Sequence, residues 1–574
     1  MRAFAGVLIA LSIVSASSAQ TVPPPRPSQP GAPGAGPARD AAKTGTAVLA
    51  GRVVNLENGR PLRRAVVRAS STEVREGRSV STDADGRWEI KDLPAGRFSI
   101  AVQKGGYVPL SYGQRRPFEQ GKPVDLADGQ RVDKLEIALP KGSVLAGRIA
   151  DEFGEPIAGA RVSAMRHRFM GGQRRLMPVP SPGASDTTDD LGQYRLHGLS
   201  PGDYYVSGSL SGTLTLEQSA DRTGYAPTYY PGTPALNEAQ RVTLAVAQEL
   251  PEINFALAPT RVAKIAGTAM TSNGKPMSNG MIMLTSAAGI GVGGTPLVGA
   301  AMTQPDGSFT ISNVAPGEYR LEMLAAGAVE SMANSGTAIG MTIPEAASMA
   351  ITVAGQDVTG IVLAAAPTST ATGRVAFDGT PPSESAIAAV TVLGMPESQT
   401  ALPLGGLARV RGDGAFEAKG LTGKRFLRIN PPTGWYLKSV TINDTDVTDT
   451  AVEFKPGEDV SGVEFLLTQR TSTLTGTVRD AKGQAQTDYV IVAFASDSRK
   501  WGTYTRFVRT ARPDQSGSFK LTGLPPEDYL VVALEYLEPG EEGDTELLER
   551  LRAGATPVSI ADGASKAIDL KLSR

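Results

Sequence analysis

The same short pattern occurs five times along the chain, and this repetition limits the folds that the chain can adopt. In each copy a turn glycine is followed by an aromatic residue after two positions, an aliphatic residue after seven and an aromatic residue after twelve. The five turn glycines are Gly86, Gly192, Gly307, Gly414 and Gly517. Another glycine precedes each copy within an apolar run, at Gly51, Gly147, Gly267, Gly373 and Gly476. Landmarks that recur about every 100 residues predict serial copies of one small domain.

The residues within each copy predict short strands that form two facing sheets. In "DADGRWEIKDLPAG", residues 83–96, Trp88 and Ile90 alternate with charged residues, as a strand with one buried face requires. Asp and Gly before this run, and Pro and Gly after it, are turn formers. We therefore predict that the repeated aromatic residues fill the space between the sheets. These residues are Trp88, Phe98, Tyr194, Tyr204, Phe309, Tyr319, Phe416, Phe426, Phe519 and Tyr529.

The segments "GRVVNLENGRPLRRAVVRAS" and "TDADGRWEIKDLPAGRFSI" resemble the carboxypeptidase regulatory-like domain, a transthyretin-like (prealbumin-like) β-sandwich related to Cna-B and starch-binding-like modules. The resemblance implies an all-β chain of five tandem antiparallel seven-stranded β-sandwiches. The expected domains are residues 46–140, 141–260, 261–366, 367–469 and 470–574. The resemblance specifies no activity, because one fold serves many functions.

The N-terminal residues predict export. Arg2 precedes an apolar run and then small residues, which is the pattern of a signal peptide over residues 1–19 with cleavage after Ala19. Residues 20–45 are rich in Pro and Gly and predict a linker without a packed core. No later apolar run reaches the length of a membrane span, about 20 residues. We expect an exported protein, and the sequence leaves periplasmic, outer-surface and secreted locations open.

Composition argues against catalysis. A catalytic zinc needs about three protein ligands, whereas the chain has no cysteine and only two histidines, His167 and His197. Neither histidine begins a His-x-x-Glu pair, and no G-x-S-x-G motif accompanies them. We count His197 at the position of Asp92, Asn313, Gly420 and Gly523 in the other copies, which predicts a strand-end surface residue. We predict no catalytic residue, no metal site and no cofactor.

Charge gives no reason to expect nucleic acid as a partner. The net charge of −1 provides no overall field, and we interpret the basic run at residues 166–175 as a solvated surface. Acidic turns such as the one with Asp83 and Asp85 are explained by hydrogen bonding within the turn. Whether any of these turns binds calcium stays open.

Two tyrosine-rich segments do not fit the core pattern. "GGYVPLSYGQRRPF" and "TGYAPTYYPGTP" place tyrosines at the same offsets, and their Pro and Gly content predicts loops. They either close one end of a sandwich or bind a sugar or peptide, since tyrosine offers apolar area and a hydroxyl. A third candidate, "PPTGWYLKSV", predicts a strand with one exposed aromatic residue. The candidate ligand-binding residues are Tyr107, Tyr112, Tyr225, Tyr229, Tyr230 and Trp435.

Three functional hypotheses follow. The first is a non-enzymatic, exported binding or scaffold protein of the cell envelope, with an envelope protein or a carbohydrate as partner and an open oligomeric state. The second is a carbohydrate-binding protein that uses the tyrosine segments, and the third is an accessory subunit of a secreted hydrolase. Short joins such as residues 257–267 favour a row of sandwiches with little slack. Near the C-terminus "EEGDTELLERLR" predicts one short helix capped by Asp544.

Overall fold

The computed structural model describes residues 45–71, 74–116, 118–210, 223–286, 297–326, 343–397, 405–502 and 504–573. The predicted signal peptide and all but the last residue of the predicted linker lie outside these ranges. Strands dominate the described chain, which confirms the all-β prediction. Large apolar cores occupy residues 47–139, 145–257, 263–365, 371–467 and 474–570, and we number the sandwiches around them 1 to 5. The exact domain boundaries stay a proposal. None of the helices in the described ranges is long and apolar enough to cross a membrane.

Sandwich 1 shows the basic arrangement. Its strands are β1 (Ala47–Asn55), β2 (Val66–Ser71), β3 (Val74–Ser81), β4 (Arg87–Leu93), β5 (Gly96–Gln103), β6 (Leu110–Ser111), β7 (Val124–Leu126) and β8 (Arg131–Leu139). One sheet has the order β4–β1–β8, and the other has the order β3–β2–β5 with β6 and β7 paired to β5. The two sheets enclose the first apolar core.

Sandwiches 2 and 3 repeat this arrangement. The strands of sandwich 2 are β9 (Ser143–Ala150), β10 (Arg161–Met170), β11 (Gln173–Pro178), β12 (Ser185–Thr187), β13 (Gln193–Leu199), β14 (Gly202–Ser209), β15 (Thr223–Tyr225), β16 (Thr228–Tyr229), β17 (Val242–Leu244), β18 (Glu249–Leu250), β19 (Phe255–Ala256) and β20 (Pro259–Arg261), with a 3₁₀ turn at Leu236–Glu238. Those of sandwich 3 are β21 (Ala263–Met270), β22 (Met281–Ser286), β23 (Leu297–Met302), β24 (Ser308–Val314), β25 (Gly317–Leu324), β26 (Glu345–Val353), β27 (Val358–Ala364) and β28 (Ala366–Pro367).

Sandwiches 4 and 5 each add a short helix. Sandwich 4 has β29 (Ser369–Asp378), α1 (Glu384–Ile387), β30 (Thr391–Pro396), β31 (Leu407–Arg409), β32 (Ala415–Leu421), β33 (Gly423–Asn430), β34 (Tyr436–Ile442), β35 (Thr445–Asp446), β36 (Val452–Phe454) and β37 (Val460–Thr468). Sandwich 5 has β38 (Ser472–Arg479), β39 (Ala485–Gln486), β40 (Val490–Ala495), β41 (Val508–Ala511), β42 (Ser518–Leu524), β43 (Glu527–Leu534), α2 (Thr545–Arg552), β44 (Thr556–Ile560) and β45 (Ser565–Ser573), with 3₁₀ turns at Ser498–Lys500 and Glu541–Gly543.

Helix α2 was predicted from the sequence, and the structure confirms it. The Asp544 side chain caps the helix by accepting a hydrogen bond from the backbone N–H of Glu546. Leu548 is buried, and Leu547 and Leu551 pack beside it on the outer face of the sheet that contains β40 and β43. Both faces of β40 are therefore covered, and all six of its residues are buried.

The first strand of every sandwich pairs in the same register. The first-strand glycine faces the aromatic residue that follows the turn glycine by two positions: Gly51 faces Trp88, Gly147 faces Tyr194, Gly267 faces Phe309, Gly373 faces Phe416 and Gly476 faces Phe519. In each sandwich a late strand runs parallel to the first: β8, β18 with β19, β27, β37 and β45. The predicted antiparallel pairing fails at this contact in every copy, and in sandwich 5 it also fails where β45 pairs with β43.

The close approach of the last strand explains the first-strand glycine. At Gly51 the Cβ of an alanine would lie 2.0 Å from the carbonyl oxygen of Leu135. The corresponding Cβ–oxygen distances in the other sandwiches are 2.2 Å to Ile253, 2.4 Å to Ile361, 1.8 Å to Val463 and 1.7 Å to Ile568. Carbon and oxygen atoms that are not bonded do not approach this closely, so only a residue without a Cβ fits.

A bulge follows each turn glycine by six positions. Asp92, Gly198, Asn313, Gly420 and Gly523 all have positive φ, where Gly, Asn and Asp are tolerated best. The pairing with the first strand shifts register at this point in every sandwich. The equivalent residue in sandwich 2 is thus Gly198, which corrects the position that the sequence count gave to His197. His197 is exposed one residue earlier, as predicted for a surface residue.

The predicted aromatic core is confirmed with one exception. Phe98, Tyr204, Tyr319 and Tyr529 are buried, whereas Phe426 lies on the outer face and packs against Tyr504 with ring centroids 6.0 Å apart. The turn before β33 is one residue shorter than its counterparts, so the strand enters with its faces exchanged. Arg425 occupies the inward position instead, and its guanidinium donates hydrogen bonds to the carbonyl oxygens of Gly394 and Thr422.

We expect Gly51→Ala to destabilise sandwich 1 by about 3 kcal/mol, because the new Cβ would have to displace backbone rather than a mobile side chain. Gly105→Ala is the matched control in the same sandwich, since no atom lies within 4 Å of its added Cβ. Hydrogen exchange of the full chain, followed by mass spectrometry on peptides from β1, β4 and β8, measures the effect. Equal protection in the two variants would show that the close approach is wrong.

Candidate binding surfaces

Each of the two tyrosine segments pairs with the stretch of chain that connects its own sandwich to the next one. The backbone N–H of Val108 donates to the carbonyl oxygen of Pro140 at 2.9 Å, and that of Ala226 donates to Ala258 at 3.1 Å. Tyr107 pairs with Lys141, and Tyr225 pairs with Pro259. These partners lie at matching positions after the last strands, so both segments pin the chain as it leaves for the next sandwich.

The tyrosine side chains pack partly on the sandwich cores. Tyr107 and Tyr112 lie against the core of sandwich 1, and Tyr225 and Tyr230 lie against the core of sandwich 2. The Tyr230 ring meets Phe255 edge to face, with centroids 6.2 Å apart. All four, and Tyr229, are partly buried, which fits the interpretation that the segments close the ends of sandwiches.

Tyr225 and Tyr229 have perturbed phenol groups. Burial, assisted by a 3.1 Å hydrogen bond to Glu152 Oε2, raises the pKa of Tyr225 to about 12. Burial also raises the pKa of Tyr229. The Tyr225 hydroxyl is committed as a donor to Glu152.

Trp435 is a core residue, which corrects its selection as a candidate ligand-binding residue. Its side chain is 4% exposed and meets Phe377 edge to face, with ring centroids 4.8 Å apart. A turn in which Trp435 N–H donates to the Pro432 carbonyl directs the ring inward at the start of β34. The neighbouring Tyr436 takes the half-buried outer position instead.

The basic run at residues 166–175 forms the hairpin of β10 and β11 and makes specific contacts, so its interpretation as a solvated surface was incomplete. The guanidinium of Arg168 lies 4.9 Å from the ring centroid of Phe118, which belongs to sandwich 1 and also packs on the core of sandwich 2. At the hairpin tip Gly172 touches the backbone of Gly543 in sandwich 5. Burial raises the pKa of Glu538 beside this hairpin, and the positive charge of Arg174 opposes that rise.

Sandwich 5 also binds sandwich 1 directly, through a cluster that we call the clasp: Arg115, Glu119, Gln120, Lys122, Asp125, Asp488, Arg512 and Gln515. Arg512 is 2% exposed as a side chain, pairs with the buried Glu119 at 2.8 Å and donates to the Gln120 carbonyl at 2.8 Å. It also pairs with Asp488, as do Arg115 and Lys122. Asp125 and Gln515 exchange two hydrogen bonds of 3.0 and 2.8 Å.

The clasp joins two sandwiches that are not neighbours along the chain, a contact that the prediction of a row of sandwiches did not include. All of its sandwich 1 residues lie within residues 115–125, after the tyrosine pair Tyr107 and Tyr112. Arg116, within the same segment, places its guanidinium 4.1 Å from the ring centroid of Tyr536 in sandwich 5. The segment that was selected as a ligand-binding loop therefore has sandwich 5 as its neighbour. No sequence signal marked this contact, because its partners are almost 400 residues apart.

The two histidines do not come together in a site. His167 meets Tyr205 edge to face at 5.4 Å, and burial followed by the charge of Arg174 lowers the pKa of His167. His197 donates its backbone N–H to Gly183. Within the described ranges no group of three or more His, Asp or Glu side chains is arranged to hold a metal ion. The acidic turns are held by their own bonds: Asp83 Oδ1 accepts the N–H groups of Asp85 and Arg87.

These observations define the chain as a set of tandem β-sandwiches with polar contacts between non-neighbouring copies. Residues 48–140 and 144–258, two successive segments of the chain, match the family model of the carboxypeptidase regulatory-like domain. The match confirms the resemblance that the sequence of these two copies indicated. A search of curated proteins found no match.

Solved structures with related folds include bacterial pilins. The Streptococcal ancillary pilin is 13% identical, covers 55% of this chain and 98% of its own, and gives a TM-score of 0.19. A minor pilin of Streptococcus agalactiae is 14% identical, covers 38% and 98%, and gives 0.21. A putative carbohydrate binding protein of Pseudomonas aeruginosa is 14% identical, covers 18% and 89%, and gives 0.13.

Replacing Arg512 by Gln should release sandwich 1 from sandwich 5, because Glu119 would keep a buried charge without its cation, at a cost of about 3 kcal/mol. The chain has no cysteine, so single cysteines introduced at exposed positions of the two sandwiches can carry spin labels. Double electron–electron resonance should give one narrow distribution of the distance between the two labels with the native Arg512, and a broad distribution in the Arg512→Gln variant.

Arg374→Gln is the control, because it removes an exposed ion pair with Glu464 inside sandwich 4. Its distance distribution should match the native one. A narrow, unchanged distribution in the Arg512→Gln variant would contradict the role given to the clasp.

Proposed function

We propose that the protein is a non-enzymatic, exported binding or scaffold protein of the cell envelope. The observation that supports this most directly is that polar side chains join sandwiches that are not neighbours along the chain. Charged residues near the tyrosine segment of sandwich 1 hold sandwich 5, and the basic hairpin of sandwich 2 meets the same sandwich. Such contacts fix binding surfaces relative to one another, which is what a scaffold requires.

Carbohydrate binding by sandwich 2 is the second candidate. Tyr225, Tyr229 and Tyr230 stay partly exposed there, and their rings offer apolar area next to hydroxyl groups. Sandwich 1 supports this candidate less, because the residues after its tyrosines are engaged in the clasp.

Glycan arrays and affinity electrophoresis distinguish the two candidates. A scaffold that binds only proteins predicts that the purified protein retains no glycan at millimolar glycan concentration, whether native or with Tyr225→Ala. Tyr225→Phe is the matched variant, because it keeps the ring and removes only the hydroxyl. Retention by the native protein and by Tyr225→Phe, but not by Tyr225→Ala, would establish the carbohydrate candidate instead.

Export has its own test. The mature protein purified from its own cells should begin at Gln20, since the predicted signal peptide ends at Ala19. N-terminal sequencing or intact mass measures this directly. A mature protein that retains Met1 would contradict export by this route.

A further inference from the structure

Two neighbouring turns at one end of sandwich 2 present large apolar side chains to solvent. Phe153 is 84% exposed and Leu191 is 56% exposed. The Phe153 turn closes through Asp151 N–H to the Glu155 carbonyl, and the Leu191 turn closes through Asp189 N–H to the Gln193 carbonyl. Since the N–H of Ile149 donates to the Gly192 carbonyl at 2.9 Å, the two turns lie side by side.

The other sandwiches show that these turns do not need apolar residues. Every copy closes the second turn by the same bond, and the residues equivalent to Leu191 are Asp85, Asp306, Asp413 and Ser516. In the first turn Glu57 and Lys482 occupy the position of Phe153, with the same side-chain capping of the backbone N–H. Folding therefore gives no reason for Phe153 and Leu191, and exposing both forgoes apolar burial.

Tyr225 extends the apolar pair, and carboxylates surround it. Its hydroxyl donates to Glu152, the residue directly before Phe153. Asp151 and Asp189 are used as turn caps. Glu155 and Asp190 are exposed, with no ion-pair partner in the described part of the chain. Arg148, a cation near these turns, donates to the Gly154 carbonyl.

We propose that Phe153, Leu191 and Tyr225 form a docking surface for a polypeptide that offers an apolar face flanked by Lys or Arg. Protruding apolar side chains act as anchors in pockets of a partner. The carboxylates of Glu152, Glu155 and Asp190 select a cationic rim by charge complementarity. An anionic lipid surface would be repelled by the same carboxylates. This inference rests on the proposed binding function and names the chemistry of the partner.

Three synthetic peptides test the proposal on the full chain. They share one leucine-rich amphipathic core and carry flanks of Lys, Glu or Ser, and fluorescence anisotropy at physiological salt measures their affinity. The Lys-flanked peptide should bind at least about tenfold tighter than the Glu-flanked one. The double variant Phe153→Glu, Leu191→Asp should lose at least about tenfold of that affinity.

The double variant introduces residues that the equivalent turns of sandwich 1 already carry, so its fold should be retained, and hydrogen exchange of sandwich 2 checks this. Val362→Ser, at a side chain 57% exposed on sandwich 3, is the control and should bind like the native protein. Equal binding by the native protein and the double variant would overturn this surface while leaving the proposed function standing. Failure of all three peptides, or Phe153-dependent binding to zwitterionic vesicles instead, would overturn it as well.

Discussion

The close packing of the last strand of each sandwich against a glycine of the first strand is the contact on which the structure depends. In all five copies a carbonyl oxygen of the segment that runs parallel to the first strand occupies the space where a side chain of the first strand would begin. The aromatic residue on the opposite strand lies across from the same glycine. Because this glycine has no Cβ, the first strand can pair with a parallel strand on one side and an antiparallel strand on the other, with a large aromatic ring at the same position. This geometry explains why the first strand of every copy carries a glycine opposite an aromatic residue.

The five copies share their strands and core, and they differ mainly in turns and loops. The shorter turn before β33 exchanges the faces of that strand, so Arg425 becomes buried, where desolvation lowers the pKa of its guanidinium and the charge of Glu322 in sandwich 3 opposes that decrease. The loop after Tyr112 carries the charges of the clasp. The turns of sandwich 2 carry exposed apolar residues. Contact functions therefore lie in turns and loops, while the strands keep the common core.

Repetition made most of the fold predictable from the sequence. Strand alternation, the turn glycines and the capped helix α2 depend on neighbouring residues, and their patterns are visible along the chain. Phe426 was misplaced because it follows the turn glycine by the usual twelve positions, whereas the shorter turn before β33 exchanges the buried and exposed faces of that strand. Trp435 was misplaced because its preceding turn, and not the alternation after it, sets the direction of its ring. The clasp was not predictable, since Arg512 and Glu119 are joined only by the arrangement of whole sandwiches. Phe153 was visible as an aromatic residue in a turn, but its exposure required the structure.

The first and last sandwiches of the chain hold each other through charged side chains. Cross-linking measures this contact most directly, because a double variant with Asp125→Cys and Gln515→Cys has only two thiols, placed where the native residues exchange two hydrogen bonds. A short bis-maleimide should join residues 125 and 515 within one monomer, in high yield and independently of protein concentration. Linkage only between different molecules, or no linkage at all, would contradict the account.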